Sequence, residues 1–285
     1  MSIRGSVRRL GLGLSTLLGR RRGFFIPYRY ADRLPPPGRR SAYGAIERVF
    51  EGQATAFAKQ LDHLDAYGDE LLRIGRDPAP APRWNQDWFP RLDAAIAYGL
   101  VRRHRPSRIV EVGSGHSTRF MARAVADGGL ATRIVAIDPA PRAALRGLAV
   151  EWLEATVPTI GMAPFSGLVA GDILFIDSSH ILMPGSDVDF LMNEVLPALP
   201  PGVLVHIHDV FLPDDYPAAW AWRGYNEQSA VALLPHGGWD IVFASRYVAT
   251  RMADRLKRGV VAELPLLRGA HETSLWLRRQ TAGYL

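Results

Sequence analysis

The chain has 285 residues, 48% hydrophobic and 22% charged, enough for one large α/β domain with an added segment or for two small domains. It contains no cysteine, which excludes disulfide frameworks, thiol nucleophiles, Cys-ligated zinc and iron–sulfur clusters, so any metal must be held by His, Asp, Glu, Asn or water. The formal net charge of +6 is concentrated at the start of the chain, where Arg4, Arg8, Arg9, Arg20, Arg21, Arg22, Arg29, Arg33, Arg39 and Arg40 fall; the remainder is close to neutral, which argues against a general nucleic-acid surface.

Residues 1–40 form this basic arm. Within it, residues 10–18 are apolar and Gly-rich between arginine clusters, loosely like a secretory or transit peptide, but no convincing small-residue cleavage site follows. A cytoplasmic location is expected. Two readings of the arm stay open: a mobile basic segment, or a surface helix making weak contact with anionic lipid or a partner. Phe24, Phe25, Ile26, Tyr28 and Tyr30 precede Pro35-Pro36-Pro37-Gly38 and are too aromatic for pure linker, so they are expected to pack. Over residues 42–73 the apolar positions Ile46, Phe50, Phe57, Leu61, Leu64 and Leu71 recur at helical spacing, predicting one or two amphipathic helices in a helical extension that spans 41–90. A proline-rich connector, 77–83, leads to Trp84, Trp88 and a further helix over 91–104.

A regular alternation follows through a domain spanning 91–285. Strands are predicted at 108–112, 133–137, 173–176 and 203–207, and helices at 118–126 and 187–199. Strands that are apolar throughout, separated by helices, indicate a parallel sheet covered on both faces. Runs 239–247 and 273–279 read as β-segments closing the edge.

The most informative stretch is Glu111-Val112-Gly113-Ser114-Gly115-His116-Ser117-Thr118, where a buried strand breaks into a glycine loop at a helix N-terminus. A nicotinamide loop reads G-x-G-x-x-G, but here Thr118 takes the third glycine position and the acid, Glu111, precedes the first. A carboxylate there suits a cationic ligand and would repel a pyrophosphate, while Ser117 and Thr118 can cap the helix. Asp138 ends the next strand, where it can accept both ribose hydroxyls. In these residues the chain resembles the class I S-adenosylmethionine-dependent methyltransferases. The resemblance implies a Rossmann-like, doubly wound, mostly parallel seven-stranded α/β sheet carrying the N-terminal helical extension. It also implies a methyl-donor site built from Glu111, Gly113, Ser114, Gly115, Ser117, Thr118, Asp138 and Asp177.

Two later strands deliver Asp177 and His180, and His208 and Asp209, to their carboxyl ends, where ligands bind in an open parallel sheet. His206 points to the same face as His208 but lies inside the strand, which favours a hydrogen-bonded core histidine. The runs Phe175–His180, Gly185–Val188 and Val205–Pro217 resemble a bacterial methyltransferase subgroup with the pattern F-I-D-S-S-H, G-S-D-V and V-H-I-H-D. They are also similar to the catechol and caffeoyl-CoA O-methyltransferases. That likeness implies a divalent metal at Asp177 and Asp209 and a base at His180, although Val210 stands where those enzymes carry a liganding Asn. His208, Asp187 or water could complete the set, and a His-containing site would suit Mn, Fe, Ni or Zn better than Mg.

The favoured function is methyl transfer to the hydroxyl of a small-molecule acceptor, with Asp177, His180 and Asp209 handling the proton. His180 suits that role through its ordinary pKa of ~6.5. The aromatic segment after the fifth of the expected strands, with Trp220, Trp222, Tyr225, Asn226, Glu227 and Gln228, is expected over the acceptor, with Trp84 and Trp88 closing the other side. Rival readings are a metal-dependent hydrolase or oxygenase built on His180, His208 and Asp209, and a methyltransferase-like binding protein without turnover. A nucleic-acid methyltransferase is disfavoured because Asp177-Ser-Ser-His180 replaces the N/D-P-P-Y/F motif of amino methylation.

Overall fold

The computed structural model describes residues 3–20, 22–24, 26–141 and 145–281; Arg21, Phe25 and the side chain of Arg4 lie outside the described set, as do the first two and last four residues. Helix α1 (Ile3–Leu17) and an irregular arm precede α2 (Gly44–Glu51), α3 (Ala54–Leu64) and α4 (Gly68–Arg73). Helix α5 (Arg91–His104) leads into β1 (Arg108–Val112), α6 (His116–Asp127), β2 (Arg133–Ile137), β3 (Val150–Leu153), α7 (Val157–Ile160) and β4 (Ile173–Ile176). Next come α8 (Asp187–Phe190), a π-helical turn (Leu191–Val195) and α9 (Leu196–Ala198), then β5 (Leu204–Ile207). The chain continues through a 3-10 turn (Ala218–Arg223), α10 (Gln228–Val231), β6 (Trp239–Ala244), α11 (Ser245–Arg251) and β7 (Leu275–Arg279).

The seven strands form one sheet in the order β3-β2-β1-β4-β5-β7-β6, with β1 to β5 parallel and β7 antiparallel to both neighbours. This is the expected doubly wound, Rossmann-like α/β architecture. The central strands are apolar because both faces are covered: Ile109, Val110 and all of β4 and β5 are buried. Strand order reverses between β1 and β4, and the register sets Val112 beside Ile176 and Ile176 beside Ile207. The carboxyl ends of β1, β4 and β5 therefore lie side by side at the topological switch point, where an open sheet leaves a crevice.

Several elements differ from the sequence expectation. Strand β3 has no apolar run to signal it, being an edge strand with Glu151 and Trp152 exposed. Within 239–247 the strand stops at Ala244 and α11 begins. Tyr247 and Val248 lend that run a strand-like composition, yet in α11 they are buried, and the Tyr247 ring packs edge-on to Phe50 and Phe57. Residues 42–73 hold three helices rather than one or two, and they share the core of the sheet, Phe57 meeting Phe243 at 5.7 Å between ring centroids. The aromatic arm is not buried as expected: Phe24, Ile26, Tyr28 and Tyr30 stay 44–62% exposed, and Tyr28 meets Tyr30 edge-on. Arginines flank the ring of Tyr30 instead, with the Arg29 and Arg33 guanidinium carbons 5.5 and 5.3 Å from its centroid. Among the described residues no helix is long and apolar enough to cross a membrane.

Candidate active site

A cleft of about 960 Å³ opens at the carboxyl ends of β1, β2, β4 and β5. Gly113, Ser114, Gly115, Ser117, Asp138, Asp177, His180, His208 and Asp209 all line it, so most of the residues singled out in the sequence converge there. Gly113 adopts φ 78°, and a Cβ there would run into the carbonyl of Asp177, so only glycine lets the ends of β1 and β4 approach so closely. The next residue, Ser114, donates from Oγ to Asp138 Oδ2 at 2.8 Å, while the Ala140 N–H donates to Asp138 Oδ1 at 2.7 Å. The half-buried Asp138 carboxylate is thereby fixed against the glycine turn, at the mouth of the cleft.

Glu111 and Thr118 require a correction. Neither lines the cleft, and both are fully buried. The Glu111 carboxyl accepts from Ser117 Oγ and Thr118 Oγ1, each at 2.6 Å, and Thr118 Oγ1 also accepts from the Gly115 N–H at 2.9 Å. Helix α6 starts earlier than predicted, at His116, so Thr118 satisfies the helix terminus from the third helical position, and Ser117 braces Glu111 rather than capping. Glu111 acts from behind the loop. Burial pushes its carboxyl up to about 8; the two hydroxyls counter the rise, and the negative charges of Asp177 and Asp138 reinforce it.

The acidic and histidine cluster also meets in space. His180 Nε2 lies 3.2 Å from Asp177 Oδ1 and 3.4 Å from Asp209 Oδ2, and His180 Nδ1 pairs with Glu227 Oε2 at 2.8 Å. His208 Nδ1 lies 3.5 Å from Asp177 Oδ1 and 3.7 Å from Asp209 Oδ1, with Nε2 3.6 Å from Asp93 Oδ2. Burial alone would strip the proton from both rings. The surrounding carboxylates outweigh it, Asp177 and Glu227 foremost at His180 and Asp177 and Asp209 at His208, and hold both pKa values well above 6.5. The Asp177 carboxyl, which burial would raise, is held far below the ordinary range by His208 and His180. The surrounding carboxylates therefore favour the His180 imidazolium, against the free base that its ordinary pKa suggested.

This arrangement bears on a metal. Among the described residues no group of three or more His, Asp or Glu side chains is disposed to hold an ion. In the expected ligand set, Asp177 and Asp209 are each paired through a carboxylate oxygen to His208 Nδ1, at 3.5 and 3.7 Å, and to His180 Nε2. Asp187 is committed to the Ser179 N–H at 2.7 Å, and Val210 turns into the core. As arranged, the donor set does not fit a metal.

Sequence reasoning placed Glu227 only within the segment expected over the acceptor, without its pairing to His180, and gave no role to Asp93. Glu227 is buried and also accepts from Ser178 Oγ at 3.0 Å; Asp93, fully buried on α5, accepts from the backbone N–H groups of Thr273 and Ser274 at 2.9 Å. His180 and Asp209 both have left-handed backbone, φ 60° and 54°, a strain that persists where neighbours fix the residue. His206 is the core histidine expected: fully buried, stacked on Phe175 at 3.7 Å and bonded to Ser274 Oγ at 2.7 Å. Burial and the His208 charge hold its pKa well below 6.5.

The far half of the cleft is aromatic. Trp88, Trp220, Arg223, Tyr225 and His271 line it, with the Arg223 guanidinium 3.9 Å from the Trp220 ring centroid and the Tyr225 ring 4.6 Å from that of His180. Trp84, expected as a second wall, is instead buried and donates from Nε1 to Leu71 O at 3.1 Å. Asn226 and Gln228 brace neighbouring backbone, accepting from the N–H groups of Leu182 and Phe211.

Residues 110–210, from within β1 to just past β5, match the family model described as a methyltransferase domain. No curated protein matches the sequence. Similar solved structures include the SAH-bound methyltransferase PaMTH1 of Podospora anserina, 16% identical over 91% of this chain and 100% of that one, with a TM-score of 0.43. Cofactor-bound Rv0187 from MTB is 16% identical over 87% of this chain and 100% of that one, also with a TM-score of 0.43. A branched-chain polyamine synthase of Thermus thermophilus is 14% identical over 76% of this chain and 64% of that one, again with a TM-score of 0.43.

Proposed function

We propose that this cleft binds S-adenosylmethionine and that the protein transfers its methyl group to a hydroxyl of a small acceptor held in the aromatic half. The observation that carries the reading is the junction of Gly113, Ser114 and Asp138 at an open cleft on the β1–β4 switch point. The residues fit such a ligand. Asp138 presents a carboxylate to ribose hydroxyls, a Cβ at Gly115 would meet nothing within 4 Å, and Asp177 holds negative charge where a sulfonium would be stabilised. The methyltransferase-domain match spans these residues.

When bound, the donor supplies an electrophilic methyl carbon on a positively charged sulfur. The acceptor oxygen forms its bond to that carbon as the carbon–sulfur bond breaks, the sulfur leaves neutral, and the hydroxyl proton passes to the protein. The chain's main task is alignment, which supplies up to ~7–11 kcal/mol in well-oriented reactions. Trp88, Trp220 and Tyr225 offer flat apolar walls to an acceptor, and Asp177, His180 and Asp209 face it as the proton-handling set. The carboxylates around His180 favour its protonated form, so the ring becomes a base as pH rises, and Glu227 fixes its orientation.

The rival hydrolase or oxygenase would need His180, His208 and Asp209 as metal ligands, whereas these side chains are paired with one another and with Glu227 and Asp93. Calorimetry with S-adenosylmethionine and its demethylated product tests the reading. Both should bind to the intact protein, and Asp138→Ala should lose most of the affinity. Binding of a nicotinamide dinucleotide instead would overturn it.

A further inference from the structure

Helix α1 carries a surface that none of the described residues covers. Val7, Leu10, Leu14 and Leu17 recur every three or four residues and so line one face, and they are 51–80% exposed. The opposite face leans on the protein. Arg8 sits there, its guanidinium 5.5 Å from the Trp222 ring, and Ser15 and Thr16 are the least exposed residues of the helix over its described side chains. The apolar stripe is thus turned outward by the way the helix is seated. Gly11 and Gly13 make no close approach that would call for glycine, and each lowers helix propensity by about 1 kcal/mol. A glycine-containing amphipathic helix with its apolar face in water lacks the burial that normally sustains such helices.

Charge decides what covers it. The first 22 residues hold six arginines and no acid, the first carboxylate being Asp32. Pairing two copies through this face would bring twelve arginines together (six from each copy) without a counter-charge. An anionic lipid surface supplies that counter-charge and an apolar layer for the leucines, and Phe24, Tyr28 and Tyr30, 44–54% exposed just beyond the helix, are residue types that settle at such interfaces. We propose that α1 lies in the plane of an anionic membrane, leucine stripe inward and arginines at the headgroups. Helix α1 touches the Ala218–Arg223 turn, whose Ala219, Trp220 and Arg223 line the cleft, so docking sets the aromatic half of the cleft beside the bilayer.

The test is co-sedimentation of the full chain with vesicles of phosphatidylcholine alone or with one-third phosphatidylglycerol. Binding to the anionic vesicles only, falling as salt rises, is expected. Arg9→Gln should weaken partition about fivefold. Leu10→Asp/Leu14→Asp should abolish it while leaving the thermal unfolding midpoint unchanged. Equal binding to both vesicle types, full retention by the leucine variant, or no binding would each overturn the proposal. So would a dimer in light scattering that the leucine changes dissociate, since a second copy would then cover the stripe.

Discussion

Glu111→Gln isolates the energetic consequence of burying a carboxyl behind the glycine loop. In the folded protein this group titrates at about 8 against an ordinary value of 4.5. Between these values the folded state keeps a proton that the unfolded chain has released. The contribution of Glu111 is fully present below pH 4.5 and declines as pH rises, by about 1.4 kcal/mol per unit, until it levels off above 8. From pH 5 to 7 the native protein should therefore lose on the order of 3 kcal/mol more stability than the Gln variant. Gln has nearly the same volume and keeps an oxygen to accept from Ser117 or Thr118. Urea denaturation of both proteins at pH 5, 6 and 7 reads the difference. His180 and His208, whose raised pKa values add stability below pH 6.5 that fades above it, act in both proteins and largely cancel in the comparison. Parallel stability curves for the two proteins would refute the argument.

Glu227→Gln removes a charge that favours the His180 imidazolium. The ascending limb of the kcat–pH profile should move to lower pH by about one to three units, with KM for the donor little changed; an unmoved profile would deny Glu227 its positioning role. In the unaltered protein, methyl transfer should accelerate as pH rises above neutrality, and a rate that peaks near pH 6 would contradict the raised pKa of His180. Gly113→Ala must adopt φ 78° and drive its methyl group into the Asp177 carbonyl. A loss of at least about 1–2 kcal/mol in chemical denaturation is expected, and an unperturbed variant would mean that the turn is not as close as described.

The sequence exposed what depends on local pattern. The Ile109-Val110 run and the glycines after Val112 are adjacent in the chain, and with the acid that follows β2 one strand–helix–strand unit later they announce a strand, a turn and a carboxylate at one end of a sheet. His206 was legible as a core residue because it lies between apolar positions of a strand. Long-range pairing leaves no such trace. Glu227 meets His180 across 47 positions, and Asp93 reaches His208 from the first turn of α5, where an acid ordinarily reads as a favourable helix-dipole contact. The direction in which a side chain faces was equally hidden. Glu111 and Thr118 lie in the right loop but behind it, and Trp84 sits four residues from Trp88 yet points into the core. Strand β3 escaped notice because an exposed edge does not need an apolar run.

The central claim is tested most directly by a crystal structure with the demethylated product of the donor bound. Both ribose hydroxyls should stand within about 2.5–3.2 Å of the Asp138 carboxylate, with the adenosyl sulfur between Gly113 and Asp177. A nucleoside seated elsewhere, or a ribose that leaves Asp138 facing solvent, would contradict it.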